Sequence, residues 1–335
     1  MTTSSSKFSS VVVDVMKKLY PEELADKSFD NTGLLLDAPA RSDKKQKNSV
    51  LLTIDLTKAV ADEAIRRGDS IIIAYHPIIF RGLKSLTLAN SQQSTLLRLA
   101  QEGISVYSPH TAVDAIPGGM ADWLCDRAVG PQHRMFDVNC EHITIHPNPS
   151  PPPGFEGAGM GRLVKFPRPV ALAPLLRQIL DGIFPNKSSD HGASVAIPQG
   201  KDINSIEVSS LATCPGSGSS VLMKNGLPVA DVLLTGEMSH HDALAAIEAG
   251  SVVVSLFHSN AERGYLRDVM LEKLMAGLRK AWGEALDVEH NHDTNFRMAK
   301  ELFEGGVPNV DVSEQDKDPY NIIMYPATGG STSRP

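Results

Sequence analysis

Cysteine is scarce: Cys125, Cys140 and Cys214 are the only three in 335 residues. They are too few and too scattered for a disulfide framework or a zinc knuckle, and they read as the reduced thiols of an intracellular protein. Apolar runs are short, none approaching the ~20 residues that span a bilayer. The opening MTTSSSKFSS has neither an arginine-bearing amphipathic pattern nor a signal-peptide core. The expected compartment is the cytoplasm, with a nuclear or mitochondrial pool left open. Basic charge is not in excess either: the formal net charge is -7, against the basic stripe that a nucleic-acid footprint requires. The one basic run, RSDKKQKN from Arg41 to Asn48, reads as a solvated loop. No P-loop and no GxSxG elbow is present, and no short-period repeat. GAGMGR looks like a dinucleotide fingerprint, but no strand leads into it and no helix opens after it.

What is present is an alternation. With 41% hydrophobic residues, the chain can bury one large core or two ordinary ones. NSVLLTIDL, SIIIAY and ISVYSP read as buried strands, separated by the helical TKAVADEAIRRG and SQQSTLLRLAQEG; Thr57 is a plausible N-cap and Gly68 a plausible C-cap. GGMADWLCDRAVG continues as a helix. After HPNPSPPPGFEGAGMGR, rich in proline and glycine, the alternation resumes with PVALAPLLRQILDGIF, SSLAT, VADVLLTGE, SHHDALAAIEAG, SVVVSLF and the long helical NAERGYLRDVMLEKLMAGLRKAW. The expected fold is α/β: two three-layer lobes with mostly parallel sheets facing a shared metal-binding cleft. The expected boundaries are an N-terminal lobe over 1–145, a connection over 146–162 and a C-terminal lobe over 163–335.

Parallel sheets carry their sites at the carboxyl ends of strands. Here IIIAY ends in His76; ISVYSP ends in His110, with Asp114 four residues on. VVVSLF ends in His258, with Glu262 four residues on, and VLLTGE ends in Glu237, followed by His240 and His241. Imidazole and carboxylate are the donors that zinc, iron and manganese accept in mixed sites. Each histidine alone would be structural; convergence at several strand ends points to a metal site. EHNHD, from Glu289 to Asp293, carries similar residue types without a strand end and reads as a solvated loop. Cys214 reads as a small turn-flanking residue, Asp30 and Asn31 as turn residues beside the cleft, and Trp123 and Trp282 as buried. Arg263 is placed either to meet an anionic substrate or to make a surface pair.

The order FDNTGLLLD, IIIAYHPIIF, SPHTAVDAIPGGMADWL, GMGR, LLTGEMSHHDAL and FHSNAERGYL resembles the Nif-three-like dinuclear-metal family, often described as type-two GTP cyclohydrolase homologues. The resemblance runs from about residue 8 to 272, and the closing DVSEQDKDP looks like the family's C-terminal strand. It implies two α/β lobes across a cleft, a toroidal homohexamer and one or two divalent ions per subunit. By motif match it implies His76, Asp114, His258 and Glu262 as metal ligands, with Glu262 bridging. Tyr75 stands where many bacterial relatives have a first histidine. A phenol titrates near ~10 and is a poorer ligand, so the second ion depends on His258 and Glu262, with Asp114, water, Tyr75 or His110 to complete its shell.

Two functions are expected from this. One is metal-assisted hydrolysis of a small molecule (a nucleotide, a phosphoester or a cyclic amide), with His110 or His241 as acid–base partner and Glu237 orienting one of them. For Glu237 a plain helix-capping duty weighs about as much. The other is a non-catalytic, metal-stabilised scaffold bound to a transcriptional co-activator, the partner from which the family takes its name.

Overall fold

The computed structural model describes residues 6–41, 43, 46–130, 142–185, 192–289 and 306–322. Cys140 and most of EHNHD lie outside the described residues. Helix α1 (Lys7–Leu19) opens the chain and ends before Pro21. Strand β1 (Gly33–Leu36) follows, then β2 (Ser49–Thr53), α2 (Lys58–Arg67), β3 (Ile71–Ala74), α3 (Ser91–Glu102) and β4 (Ser105–Ser108). Thr57 caps α2 by accepting from the Val60 N–H, and Gly68 closes it at φ 74°, as the sequence predicts. Two short helices, α4 (Thr111–Ala115) and α5 (Met120–Val129), complete this half.

The second half holds β5 (Ile143–Pro147), β6 (Gly159–Ala171), α6 (Leu172–Ile183), β7 (Ser194–Ala196) and β8 (Glu207–Ser217). Next come α7 (Ser219–Leu222), the small hairpin β9 (Met223–Lys224) and β10 (Leu227–Pro228), β11 (Val232–Glu237), α8 (His240–Glu248) and β12 (Val252–Ser255). The helix expected after β12 is interrupted: α9 (Arg263–Tyr265) passes through a π-helical stretch, Leu266–Met270, into α10 (Leu271–Glu289). The last strand is β13 (Asn309–Val312).

Two sheets result. The first has the order β1-β4-β3-β2-β13 and is parallel except for β1. The second has the order β5-β6-β8-β11-β12-β7. Its parallel character sits in the middle, β8-β11-β12, with antiparallel strands on both sides. The division of the chain differs from the expected boundaries. The expected connection carries the facing ends of the paired arms β5 and β6 on either side of an irregular turn, and β13 returns to the first sheet beside β2. A proline-rich stretch can still border strands, since only the turn between the arms, 148–158, is irregular.

Side chains alternate across each strand, so a strand buried on both faces feeds two cores. Leu51, Ile72, Ala74 and Val106 pack under α2 and α3. Val50, Leu52, Ile71 and Ile73 point the other way, into a central core that also takes Val164, Leu211, Val232, Leu234 and Val254 from the second sheet. Residues of α1, α5, α6 and α10 fill the same core. The two lobes therefore share buried material, and the carboxyl ends of β3 and β12 are held in a fixed relation.

GMGR has a structural duty that the sequence does not announce. Arg162 is 2% exposed. Its Nε donates to Asp122 Oδ1 (2.8 Å), and its Nη atoms donate to the carbonyls of Gly159 (2.7 Å), Gly161 (3.0 Å) and Ile116 (3.2 Å). That ties β6 to the turn between α4 and α5. His142 joins the network, with Nδ1 2.8 Å from Asp122 Oδ1 and Nε2 3.3 Å from Asp126. Hydrogen bonds to Asp122, Asp126 and Cys125 push the imidazole up to about 12, against the opposing effect of burial.

A histidine raised in the folded state stabilises fully below its unfolded value, roughly 6.5. That contribution declines as pH rises past this value and is gone by about 12. His142→Gln is therefore expected to lower the urea midpoint clearly at pH 6 and less at pH 10. Arg162→Ala is expected to cost about 3 kcal/mol, because it removes one partner of Asp122 and leaves the buried carbonyls of Gly159, Gly161 and Ile116 without their donor. An Arg162→Ala midpoint equal to wild type would contradict the clamp.

Candidate metal centre

At the carboxyl ends of β3, β4, β8 and β12 lies a cavity of about 560 Å³. His76, His110, Asp114, His258 and Glu262 all line it, together with Tyr75, Asp55 and Cys214. Glu262 is 1% exposed and stands between two imidazoles: Oε2 is 3.4 Å from His76 Nε2, and Oε1 is 3.7 Å from His258 Nε2. Ligand atoms of His76, His258 and Glu262 all fall within 4.8 Å of one another, a group that could hold a metal ion. Oε2 of Glu262 is buried and has no hydrogen-bond partner among the described residues, which is costly for a carboxylate unless something else satisfies it. Gly216, at φ 59°, leaves the room: a Cβ there would meet Glu262 Oε1 at 2.7 Å and His258 Nε2 at 3.1 Å.

Both imidazoles are aimed by a carboxylate on the far nitrogen. His76 Nδ1 is 2.9 Å from Asp55 Oδ1, and His258 Nδ1 is 2.9 Å from Glu237 Oε1. This leaves each Nε2 directed at Glu262, the arrangement that orients metal-ligating histidines. A third pair borders the same cavity. His110 Nδ1 is 2.6 Å from Asp30 Oδ1, and Asp30 Oδ2 also accepts from the Thr111 N–H (3.2 Å) and hydroxyl (2.5 Å). Burial pushes the Asp30 carboxyl up, but the bonds and charge of His110, with Thr111, outweigh it and hold the carboxyl below its ordinary value. His110 (φ 34°) and Phe257 (φ 70°), which precedes His258, sit in the left-handed region. A non-glycine residue is strained there, and such strain gathers at functional sites.

Asp114 lies deeper. Tyr75 donates its hydroxyl to Asp114 Oδ1 at 2.8 Å. Burial pushes the Asp114 carboxyl far up, and the negative charge of Glu262 adds to that despite the Tyr75 bond. Burial likewise pushes the Tyr75 phenol well up, helped by Asp114 and Glu262, so it keeps its proton. At His76 burial favours the neutral ring, yet the charge of the nearby Glu262 carboxylate and the bond to Asp55 raise it to about 10. A proton thus holds the place that a cation would take.

The expected residues divide as follows. His76, His258 and Glu262 meet, and Asp114 shares their cavity as a partner of Tyr75. His110 faces the cavity with Asp30, not Glu237, behind it. Glu237 stands behind His258 instead, because β11 and β12 are neighbours. His241 is exposed on the first turn of α8, against His240, and does not line the cavity. Burial raises the Cys214 thiol, whose Sγ donates to the Pro215 carbonyl, so it is no ready nucleophile. Arg263 pairs with Asp316. Trp123 is buried, with its indole N–H on Asp268, and Trp282 is half-buried. Sequence reading missed Asp55 as an orienting group and saw Asp30 only as a turn former. The available signal was their place at the ends of TIDL and FDN, beside strands that deliver histidines.

Comparison with known proteins shows the family and the fold. The sequence model of the family Duf34/NIF3 (NGG1p interacting factor 3) matches residues 9–293. The "Protein NIF3 homolog" of Schizosaccharomyces pombe is 40% identical over 323 residues, covering 96% of this chain and 100% of that protein. "NGG1-interacting factor 3" of Saccharomyces cerevisiae is 38% identical over 264 residues, covering 77% and 88% respectively. A solved Bacillus cereus protein related to NIF3 superposes with a TM-score of 0.63 at 18% identity, over 93% of this chain and 98% of that one, which shows the fold.

In chelator-treated protein, NMR titration of the imidazole signals is expected to show His76 still charged at pH 8, with a midpoint of about 10. Asp55→Asn removes one of the groups that raise it, so the midpoint should move down. Any cation that binds Nε2 must displace this proton, so its affinity should rise roughly tenfold per pH unit below that midpoint. A His76 that is neutral at pH 7 in the metal-free protein would overturn the assignment.

Proposed function

The chain belongs to the DUF34/NIF3 family, and from that premise we propose that it is a divalent-metal-dependent hydrolase of small molecules. His76, Asp114, His258 and Glu262 would hold one or two ions. The observation that carries the reading is Glu262: a carboxylate at 1% exposure, one oxygen toward each of two pre-aimed imidazoles, with Oε2 left unbonded. The residues fit a cation. It would satisfy Oε2 and offset the Glu262 charge that adds to burial in pushing Asp114 up, and the nitrogen and oxygen donors suit zinc, iron or manganese alike.

A bound divalent ion supplies Lewis acidity and lowers the proton affinity of water. The chain's own groups do the rest. His110, fixed by Asp30 through Nδ1, has Nε2 free of hydrogen bonds among the described residues and is the group that holds or moves a proton. Its ring centroid lies 5.5 Å from that of His76, so the proton carrier is adjacent to the ligand set. Phe29 and Phe80, whose rings are 6.2 Å apart, flank the mouth with the edge of His110 against both. The lining contains Asp26, Asp55, Asp114 and Glu262 and no lysine or arginine among the described residues. The aromatic rings at the mouth suit a partly apolar substrate such as a cyclic amide. A hexamer and a cytoplasmic setting complete the proposal, the former open to light scattering.

The second reading, a metal-stabilised scaffold that binds a transcription-linked partner, draws on Tyr75. Its hydroxyl occupies an Asp114 oxygen that a second ion would need. The name of the yeast relative, NGG1-interacting factor 3, points to such a partner for that protein.

Elemental analysis of protein purified without added metal is expected to find at least one ion per subunit in the wild type and none in Glu262→Gln. The metal-loaded wild type should turn over a member of a panel of cyclic amides, nucleosides, phosphoesters and nucleotides. Glu262→Gln should lower that rate by more than about 100-fold, beyond what loss of an outer-shell partner alone reaches. Metal without turnover on any panel member would transfer the proposal to the scaffold. A wild type that binds no ion would end both.

A further inference from the structure

After β13 the chain does not leave the surface; it runs along the edge of the metal centre. The Ser313 N–H donates to the Leu52 carbonyl (2.8 Å), and the Ser313 hydroxyl and the Glu314 N–H (3.1 Å) both donate to Glu63. Asp316 comes next, its side chain 2% exposed. Its Oδ2 accepts from the Ile54 N–H at 2.8 Å and its Oδ1 from the Asp55 N–H at 3.4 Å. The same carboxylate pairs with Arg263, the neighbour of Glu262. Arg263 Nη2 donates to Ser259 Oγ (2.6 Å), and that hydroxyl donates to Asp318 Oδ2 (2.8 Å). Pro319 lines the cavity, and the Tyr320 ring sits 6.3 Å from Phe257, just before His258.

We propose that Asp316 is a positioning residue of the metal centre, a single buried carboxylate that holds the Asp55 turn of one lobe and the Ser259–Arg263 segment of the other in one geometry. The proposal rests on reading the site as a metal centre. Its force comes from where β2 ends. The ladder with β13 runs only to Val312, so the N–H groups of Ile54 and Asp55 take a side-chain acceptor in place of a strand. Those N–H groups set the peptide that presents Asp55 to His76. Arg263 places its positive charge against the same carboxylate from the other side, and it directly follows Glu262. Orientation of both candidate ligands thus passes through Asp316. Metal binding and docking of Ser313–Tyr320 are then one coupled equilibrium, and the coupling is reciprocal.

Both directions are measurable on the full chain, with zinc(II) and manganese(II) as probes. Hydrogen exchange of residues 313–322 is expected to slow when either metal is added to chelator-treated wild type. Chelator competition should show metal affinity falling roughly 10–100-fold in Asp316→Ala, as for loss of an outer-shell partner. Asp316→Asn keeps an acceptor but loses the charge facing Arg263, so it should fall between. Val310→Ala is the control: it thins the packing of β13 (Val310 is 4% exposed) without touching Asp316, and should leave affinity unchanged. If Asp316→Ala does not fold, Arg263→Gln tests the other half of the same contact. Wild-type affinity in the Asp316 variants, an equal loss in Val310→Ala, or exchange indifferent to metal would each overturn the proposal while the metal centre stands. A wild type that binds neither metal overturns the metal centre and the proposal together.

Discussion

Glu262 is 1% exposed, and a carboxylate at that depth needs positive charge or hydrogen bonds close by to offset its lost hydration. Among the described residues no backbone donor reaches it; two imidazoles stand beside it, each held by a carboxylate of its own. The consequence is an alternation of sign outward from the centre: carboxylate, imidazole, carboxylate. Asp55 and Glu237 are the outer members, and Arg263 and Asp316 extend the series on one side. Such a network is worth most when every member is present, since a buried group that loses its partner keeps its desolvation penalty. Gly216 fits the same logic, because any side chain there would collide with the Glu262 carboxylate and the His258 ring.

The fold makes this possible by opposing two strand ends. His76 follows β3 in the first sheet, and His258 follows β12 in the second. Neither sheet alone could bring both rings to one carboxylate. The central core, shared by residues of both sheets, fixes their separation, and the Arg162–Asp122–His142 network pins the second sheet to the α4–α5 turn. The lobe junction thus sets the distance between the two strand ends, and the contacts around the cavity set the orientation of the side chains they carry.

How much of this was legible in the sequence follows from the range of each interaction. Strand ends announce themselves locally: an apolar β-branched run that stops at His76, His110 or His258 can be read without a structure. The i, i+4 pairs His110–Asp114 and His258–Glu262 are equally local. The orienting contacts are not. His76 and Asp55 are 21 residues apart, His110 and Asp30 are 80, and Asp316 and Ile54 are 262. The sequence places Glu237 at a strand end but does not show that its partner is His258, because which strands adjoin is a property of the sheet. His241 was drawn in by its proximity in sequence to Glu237, yet the start of α8 turns it to solvent. The family's motif order carried the fold further than periodicity could, since no local pattern says that β13 rejoins the first sheet or that β5 and β6 form one arm.

Tyr75 shows how one residue can set the character of such a centre. Its phenol is buried, keeps its proton and spends it on Asp114. A histidine at that position would offer a lone pair toward the cavity; the tyrosine offers a donor toward a carboxylate. That exchange converts Asp114 from a free ligand oxygen into a hydrogen-bonded one, and it leaves His76, His258 and Glu262 as the tight group. A metal ion held by these three side chains would have room for water or substrate, as catalytic rather than structural sites do. The same tyrosine that weakens the case for a second ion therefore strengthens the case that the first has room to work.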